Sequence, residues 1–219
     1  KSGQEVLDVL ELSQSFKDAE LFQNLSFKVN RGEKIAILGV NGIGKSTLLK
    51  TILGFVAPKN GGVKWGHNTN YSYFSQDHHE VINGNVSAID WLTNATTNAD
   101  LGVIRGALAR MLLTKDQVEK FVEVLSGGEA AKLLFSKIIL ERSNVLILDE
   151  PTNHLDLESR IALAHSLKSF EGTIVFVSHD RHFISTIANR IIFMKKGKTI
   201  DYLGKYSSFR KKYSKLFEI

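Results

Sequence analysis

Cysteine is absent from the 219 residues, which excludes a disulfide framework and any thiolate-held metal. Proline is nearly absent, with two residues, and Pro58 falls in the turn cluster Pro58-Lys59-Asn60-Gly61-Gly62. No apolar run approaches the ~20 residues of a membrane span, and no leader of the secretory type opens the sequence. The chain therefore reads as soluble and cytoplasmic. Internal repeats and low-complexity tracts are lacking too, and the first residue is Lys1, as expected of a piece cut from something longer. Adjacent His78 and His79 have no clustered partners at ligand spacing, so no metal site is read from them.

What is present is an ordinary globular composition, 43% hydrophobic and 23% charged, in a length that suits one substantial core with room for a subdomain. The net charge of +5 is unevenly placed. Residues 195–219 hold eight of the 28 Lys and Arg but two of the 23 acids, so the excess belongs to the C-terminal tail. A solvated surface helix would account for it. A contact with a phosphate-rich surface such as nucleic acid would account for it equally.

The most informative stretch is Gly39-Val40-Asn41-Gly42-Ile43-Gly44-Lys45-Ser46-Thr47. It follows the apolar run Lys34 to Leu38 and precedes Leu48 to Leu53, which reads as a helix. Strand, glycine-rich loop and helix form the setting of a phosphate-binding P-loop. The glycines let backbone N–H groups turn inward around a polyphosphate, and the helix N-terminus adds its unpaired donors and positive dipole end. Lys45 would reach the β- and γ-phosphates of a nucleotide such as ATP, and the Ser46 hydroxyl would ligate Mg²⁺.

Further along, Val145 to Leu148 is a continuous apolar strand, suited to a buried parallel sheet. It runs into Asp149 and Glu150 at the end where such sheets present ligands. Asp149 suits the second shell of Mg²⁺, and Glu150 suits a general base for water. Thr173 to Val177 is a second buried strand and delivers Ser178-His179-Asp180 to the same edge. Ser126-Gly127-Gly128 ahead of a helix is another anion-binding terminus, although many helix caps look like this. Val6–Leu12 and Leu21–Val29 read as strands, with Phe16 between them as a core or edge aromatic. Val63–Trp65 and Tyr71–Phe74 read as short strands, the latter ending at Gln76. Leu101, Ile104, Leu108, Met111 and Leu112 recur at helical spacing, and Val118, Phe121, Val122 and Leu125 are expected to continue it. Ile191–Met194 and Thr199–Tyr202 read as a hairpin, and Lys205 onward as a terminal helix.

P-loop, Gln76, Leu125-Ser126-Gly127-Gly128-Glu129, Asp149-Glu150 and His179 follow one another as in ABC-type ATPase domains, which this chain resembles over essentially its whole length. Tyr73-Phe74-Ser75-Gln76, Pro151-Thr152-Asn153-His154-Leu155-Asp156 and Ser178-His179-Asp180-Arg181 resemble the ABC-F family, whose members carry two ATPase domains and no membrane part. The resemblance implies an α/β P-loop NTPase with a RecA-like core, an antiparallel β-subdomain and an inserted helical subdomain. It implies one ABC domain over residues 1–219, with the helical part near 86–142 and the basic tail at 203–219. It makes Phe16 the aromatic that stacks on adenine, Gln76 the sensor between Mg²⁺ and attacking water, Glu150 the catalytic base and His179 the γ-phosphate contact. Ser126, Gly127 and Gly128 would face a nucleotide held by a second ABC domain, on the same parent chain or as a homodimer, with Asn153 to Asp156 along the seam. The implied parent protein acts on ribosomes. The alternative is the ATPase subunit of a membrane transporter, for which Ser-Ala rather than Asn153-His154 would precede the Leu-Asp. Two departures bear on the contact across the seam: Ala130-Ala131-Lys132 replaces the usual Lys-x-Arg, and Ile43 stands where a smaller residue is common. The short segment between Gln76 and Leu125 leaves no room for a long helical arm, which favours the second of two domains.

Overall fold

A computed structural model describes residues 2–16, 19–78, 81–96 and 99–216. Strands β1 (Glu5–Phe16), β2 (Ala19–Asn30) and β4 (Asn60–Trp65) form an antiparallel sheet in the order β2-β1-β4. The other sheet has six strands: β5 (Tyr71–Phe74), β6 (Val145–Asp149), β7 (Thr173–Val177), β3 (Lys34–Gly39), β8 (Arg190–Lys195) and β9 (Lys198–Leu203). Pairing is parallel from β5 through β8, and β9 returns antiparallel as the hairpin expected from sequence. The two short strands read on either side of His67 thus lie in different sheets, and Trp65 stacked on Tyr71 at 4.9 Å joins them.

Each central strand buries both faces, which is why β6 and β7 are apolar without alternation. Ile35, Ile37, Ile147 and Val175 pack toward the antiparallel sheet and helix α1 (Lys45–Ile52). Ala36, Leu38, Leu148 and Phe176 point the other way. That second face is covered by α5 (Gly127–Glu141), α6 (Leu157–Ser169), α7 (Arg181–Ile187) and α8 (Tyr206–Lys212), with α2 (Ala88–Ala95) and α3 (Leu101–Arg110) packed on α5.

The helical period expected from Leu101 to Leu125 breaks at Met111. The Leu113 N–H bonds back to the Leu108 carbonyl at 3.2 Å and Leu112 takes a left-handed φ of 58°, the geometry of a helix stop. Leu112 is consequently 56% exposed rather than core. A capping box between Thr114 and Gln117 then starts the single turn α4 (Lys115–Val118), and Phe121 is extended ahead of the 3-10 turn Val122–Val124. Spacing alone could not separate one helix from a helix, a stop and two turns.

Candidate functional site

Four loops meet at the C-terminal edge of the parallel strands. The first links β3 to α1. Gly39 lies against β8, where a Cβ would stand 2.6 Å from the Met194 carbonyl oxygen, so only glycine fits. Gly44 caps α1 at φ 98° and supplies no side-chain acceptor. The first-turn N–H groups of α1 are thereby left to a ligand, and an anion is the species they suit. Lys45 is buried, and its ammonium donates to the Gly39 and Val40 carbonyls at 3.0 and 3.2 Å. Burial lowers its pKa, and the nearby Glu150 and Asp149 carboxylates work against that fall.

The second loop leaves β6. The Ser46 hydroxyl donates to Asp149 Oδ1 at 3.0 Å. Burial pushes the Asp149 carboxyl up, the Ser46 bond opposes the rise, and the Glu150 charge adds to it. A hydroxyl and a carboxylate this close, beside a glycine-rich loop and helix N-terminus suited to an anion, are hard-oxygen partners that would fit Mg²⁺. Glu150 follows at a φ of 50°, its N–H donating to the Val177 carbonyl at 3.0 Å. Such a backbone costs a non-glycine residue about 1–2 kcal/mol, and here it turns the carboxylate toward the third loop. There Glu150 Oε2 accepts the His179 backbone N–H, and Oε1 lies 3.2 Å from His179 Nε2. The His179 side chain is otherwise 57% exposed. Asp180 starts α7 by accepting the His182 and Phe183 N–H groups, which fixes the turn holding His179.

The fourth loop follows β5. Gln76 lines a cleft of about 650 Å³ together with Ser46, Lys50, Asp149, Gly127 and His154. The expected groups Lys45, Ser46, Gln76, Asp149, Glu150 and His179 therefore share one sheet edge. Gly127 reaches the same cleft, while Ser126 caps α5 through the Glu129 N–H. The expectation at Phe16 concerns a side chain outside the described set, and that at His79 a residue outside it.

Sequence reasoning gave His154 a place on a seam but not its packing. His154 adopts φ 65°, and a Cβ on Gly128 would meet its carbonyl oxygen at 2.7 Å. A Cβ on Gly127 would approach its ring at 3.1 Å. Gly128 is thus required by packing within this chain, and at Gly127 a larger residue would have to push the His154 ring aside. His78, set aside as a metal ligand, is buried edge-on to Phe74 at 5.1 Å and 6.3 Å from the His154 ring.

Glu129 closes the capping box of α5 and pairs with Lys120 at 2.8 Å. Burial would raise its pKa, but the Lys120 bond and the Ser126 N–H outweigh it and hold the carboxyl down at about 2, from 4.5. A depressed carboxylate adds stability that is complete above 4.5 and is lost as pH falls toward 2. Carboxylate NMR should place the Glu129 midpoint near 2, and Lys120→Ala should move it upward; a midpoint at the ordinary value would remove this anchor.

The profile of the family described as ABC transporter matches residues 22–153. The chain is 41% identical over 204 residues to the ATP-binding protein YbiT of Escherichia coli O157:H7, covering 93% of this chain and 38% of that protein. It is 41% identical over 212 residues to ABC transporter F family member 5 of Arabidopsis thaliana, covering 96% and 31%. The chain thus spans about a third of the length of such relatives. Among solved structures, a metal-chelate type ABC transporter in an inward-facing conformation superposes with a TM-score of 0.74 at 26% identity, covering 98% of this chain and 89% of that one.

Proposed function

Since the chain belongs to the ABC transporter family of ATP-binding domains, and hydrolysis of ATP is the work of such domains, we propose that it is an ABC-F-type ATPase domain that closes head to tail on a second ABC domain around two ATPs. In this reading it is the second such domain of a cytoplasmic protein that acts on ribosomes. The observation that carries the F-type assignment is the 41% identity to an F family member over 96% of the chain.

The roles follow from the chemistry of each group. Lys45 binds the β- and γ-phosphates. Ser46 and Gln76 hold Mg²⁺, with Asp149 behind Ser46; when bound, Mg²⁺ neutralises phosphate charge. Glu150 accepts the proton of the attacking water, and His179 moves from Glu150 to the γ-phosphate as the site closes. Ser126, Gly127 and Gly128 cap the nucleotide of the partner domain. Phe16 stacks on adenine. Residues 86–142 form the helical subdomain.

The test is co-sedimentation of the full-length parent with ribosomes, with and without ATP, beside its ATPase rate. A transporter engine is the second reading, favoured by the likeness to the metal-chelate transporter. Binding to a membrane subunit and indifference to ribosomes would establish that instead.

Charge gives a separate expectation. Lys211 and Lys212 are exposed on α8, and the Lys212 ammonium lies 5.6 Å and 5.5 Å from the Tyr202 and Tyr213 ring centres. Lys211→Glu with Lys212→Glu should weaken ribosome binding and flatten its salt dependence by roughly one unit of log–log slope for each phosphate no longer neutralised. ATP hydrolysis should stay near wild type. Binding that survives both salt and the charge reversal would make the tail a solvated helix.

A further inference from the structure

The C-terminal segment from Tyr206 to Leu216 shares a cavity with the phosphate loop. A cavity of about 260 Å³ has Tyr206 and Leu216 on one side and Gly39, Val40, Lys45 and His179 on the other. Phe209 is fully buried and anchors the segment, its ring 5.9 Å from Phe193 on β8 and 5.1 Å from Tyr213. The next residue on β8 is Met194, whose carbonyl is the group that Gly39 is packed against. From Phe209 the chain continues through the end of α8 into a 3-10 turn at Ser214–Leu216, the Tyr213 N–H donating to the Phe209 carbonyl at 2.9 Å and the Leu216 N–H to the Tyr213 carbonyl at 3.0 Å. Two routes therefore join the segment to the loop: the shared cavity at the Leu216 end, and the Gly39–Met194 contact at its anchor.

Two residues of that wall, Lys45 and His179, are ones that a bound polyphosphate would draw on. Lys45 stands where it does because its ammonium bonds to the Gly39 and Val40 carbonyls. A bound polyphosphate competes for the same ammonium with far stronger, charge-assisted acceptors, and His179 leaves Glu150 if it follows the γ-phosphate. We propose that residues 206–216 are a nucleotide-responsive strap: filling the phosphate loop rearranges Lys45 and His179, the Leu216 end repacks on the altered wall, and the exposed Lys211, Lys212 and Lys215 move with it. The strap rests on the phosphate-loop reading of residues 39–47. Its consequence is that nucleotide state is displayed on the segment that carries the chain's positive excess, where a phosphate-bearing partner would sense it.

Linkage makes the idea exacting. If nucleotide repacks Leu216 on the cavity wall, a substitution at Leu216 must change nucleotide affinity to the extent that it favours one packing over the other, whereas exposed charges off that wall need not. The absence of cysteine allows a single reporter: Lys215→Cys carrying an environment-sensitive maleimide dye, on the 219-residue chain. It would be titrated with a non-hydrolysable ATP analogue and Mg²⁺, while calorimetry follows binding to the unlabelled protein. The expected result is an emission change that saturates with the calorimetric midpoint, together with an affinity shift of about fivefold or more in Leu216→Ser. Calorimetric binding with a flat emission trace, or with Leu216→Ser within about twofold of wild type, would overturn the strap and leave the phosphate loop intact. No binding at all would sink the phosphate-loop reading, and the strap with it.

Discussion

Glu150→Gln is expected to abolish turnover while leaving nucleotide bound. The backbone at Glu150 is set by its N–H bond to Val177 and by the left-handed turn, neither of which involves the carboxylate. The amide can also keep both contacts with His179, since its oxygen accepts the backbone N–H and its nitrogen can donate to a neutral ring nitrogen. The Ser46–Asp149 pair is untouched. In the proposed mechanism, what disappears is the base for the attacking water, worth on the order of 10²–10⁴ in rate, together with one negative charge near the site proposed for the γ-phosphate. Less repulsion favours closure, so the variant should pair with a second copy in Mg-ATP on size exclusion and separate in ADP. Wild-type turnover would show that another group is the base. A slow variant that never pairs, even with a second ABC domain supplied, would remove the head-to-tail mechanism instead.

The geometry behind this expectation is only partly legible in the sequence. Chain order alone brings Lys45, Asp149, Glu150 and His179 to one edge, because each follows an apolar run long enough to be a strand and buried on both faces. Parallel strands put all their C-terminal ends together, so delivery of polar groups to a common edge is a topological result and can be read without coordinates. Backbone turns are another matter. Glu150 and His154 both adopt left-handed conformations, which side-chain identity does not announce outside glycine and asparagine. The requirement for glycine at 128 is likewise invisible as packing, because its cause, His154, lies far along the sequence. Leu112 shows the same limit from the other direction. An apolar residue in register looks like core until a carbonyl four or five residues back accepts the N–H that ends the helix.

Lys45→Ala should cost nucleotide affinity far more than it costs the fold. In the structure the ammonium spends its donors on two carbonyls of its own loop, Gly39 and Val40. Those carbonyls border the cavity beside His179, where water can replace the lysine, so the melting transition should move by no more than about 1 kcal/mol of stability. A phosphate has no such substitute. Each charge-assisted bond removed there is worth about 1.5–3 kcal/mol, or roughly 10- to 150-fold in dissociation constant. Lys45→Met separates charge from length: it restores the apolar stem, and if charge is what binds, its affinity should fall with that of the alanine variant. A second effect has a definite sign. The Lys45 charge is one of the influences holding the Asp149 carboxyl down against burial, so its removal raises that pKa further. Protonated Asp149 can no longer orient Ser46 toward Mg²⁺, and the Mg²⁺-dependent part of binding should therefore weaken first at the acidic end of a calorimetric series and recover as pH rises. Affinity equal to wild type in both variants would show that residues 39–47 form a glycine turn without a phosphate to hold.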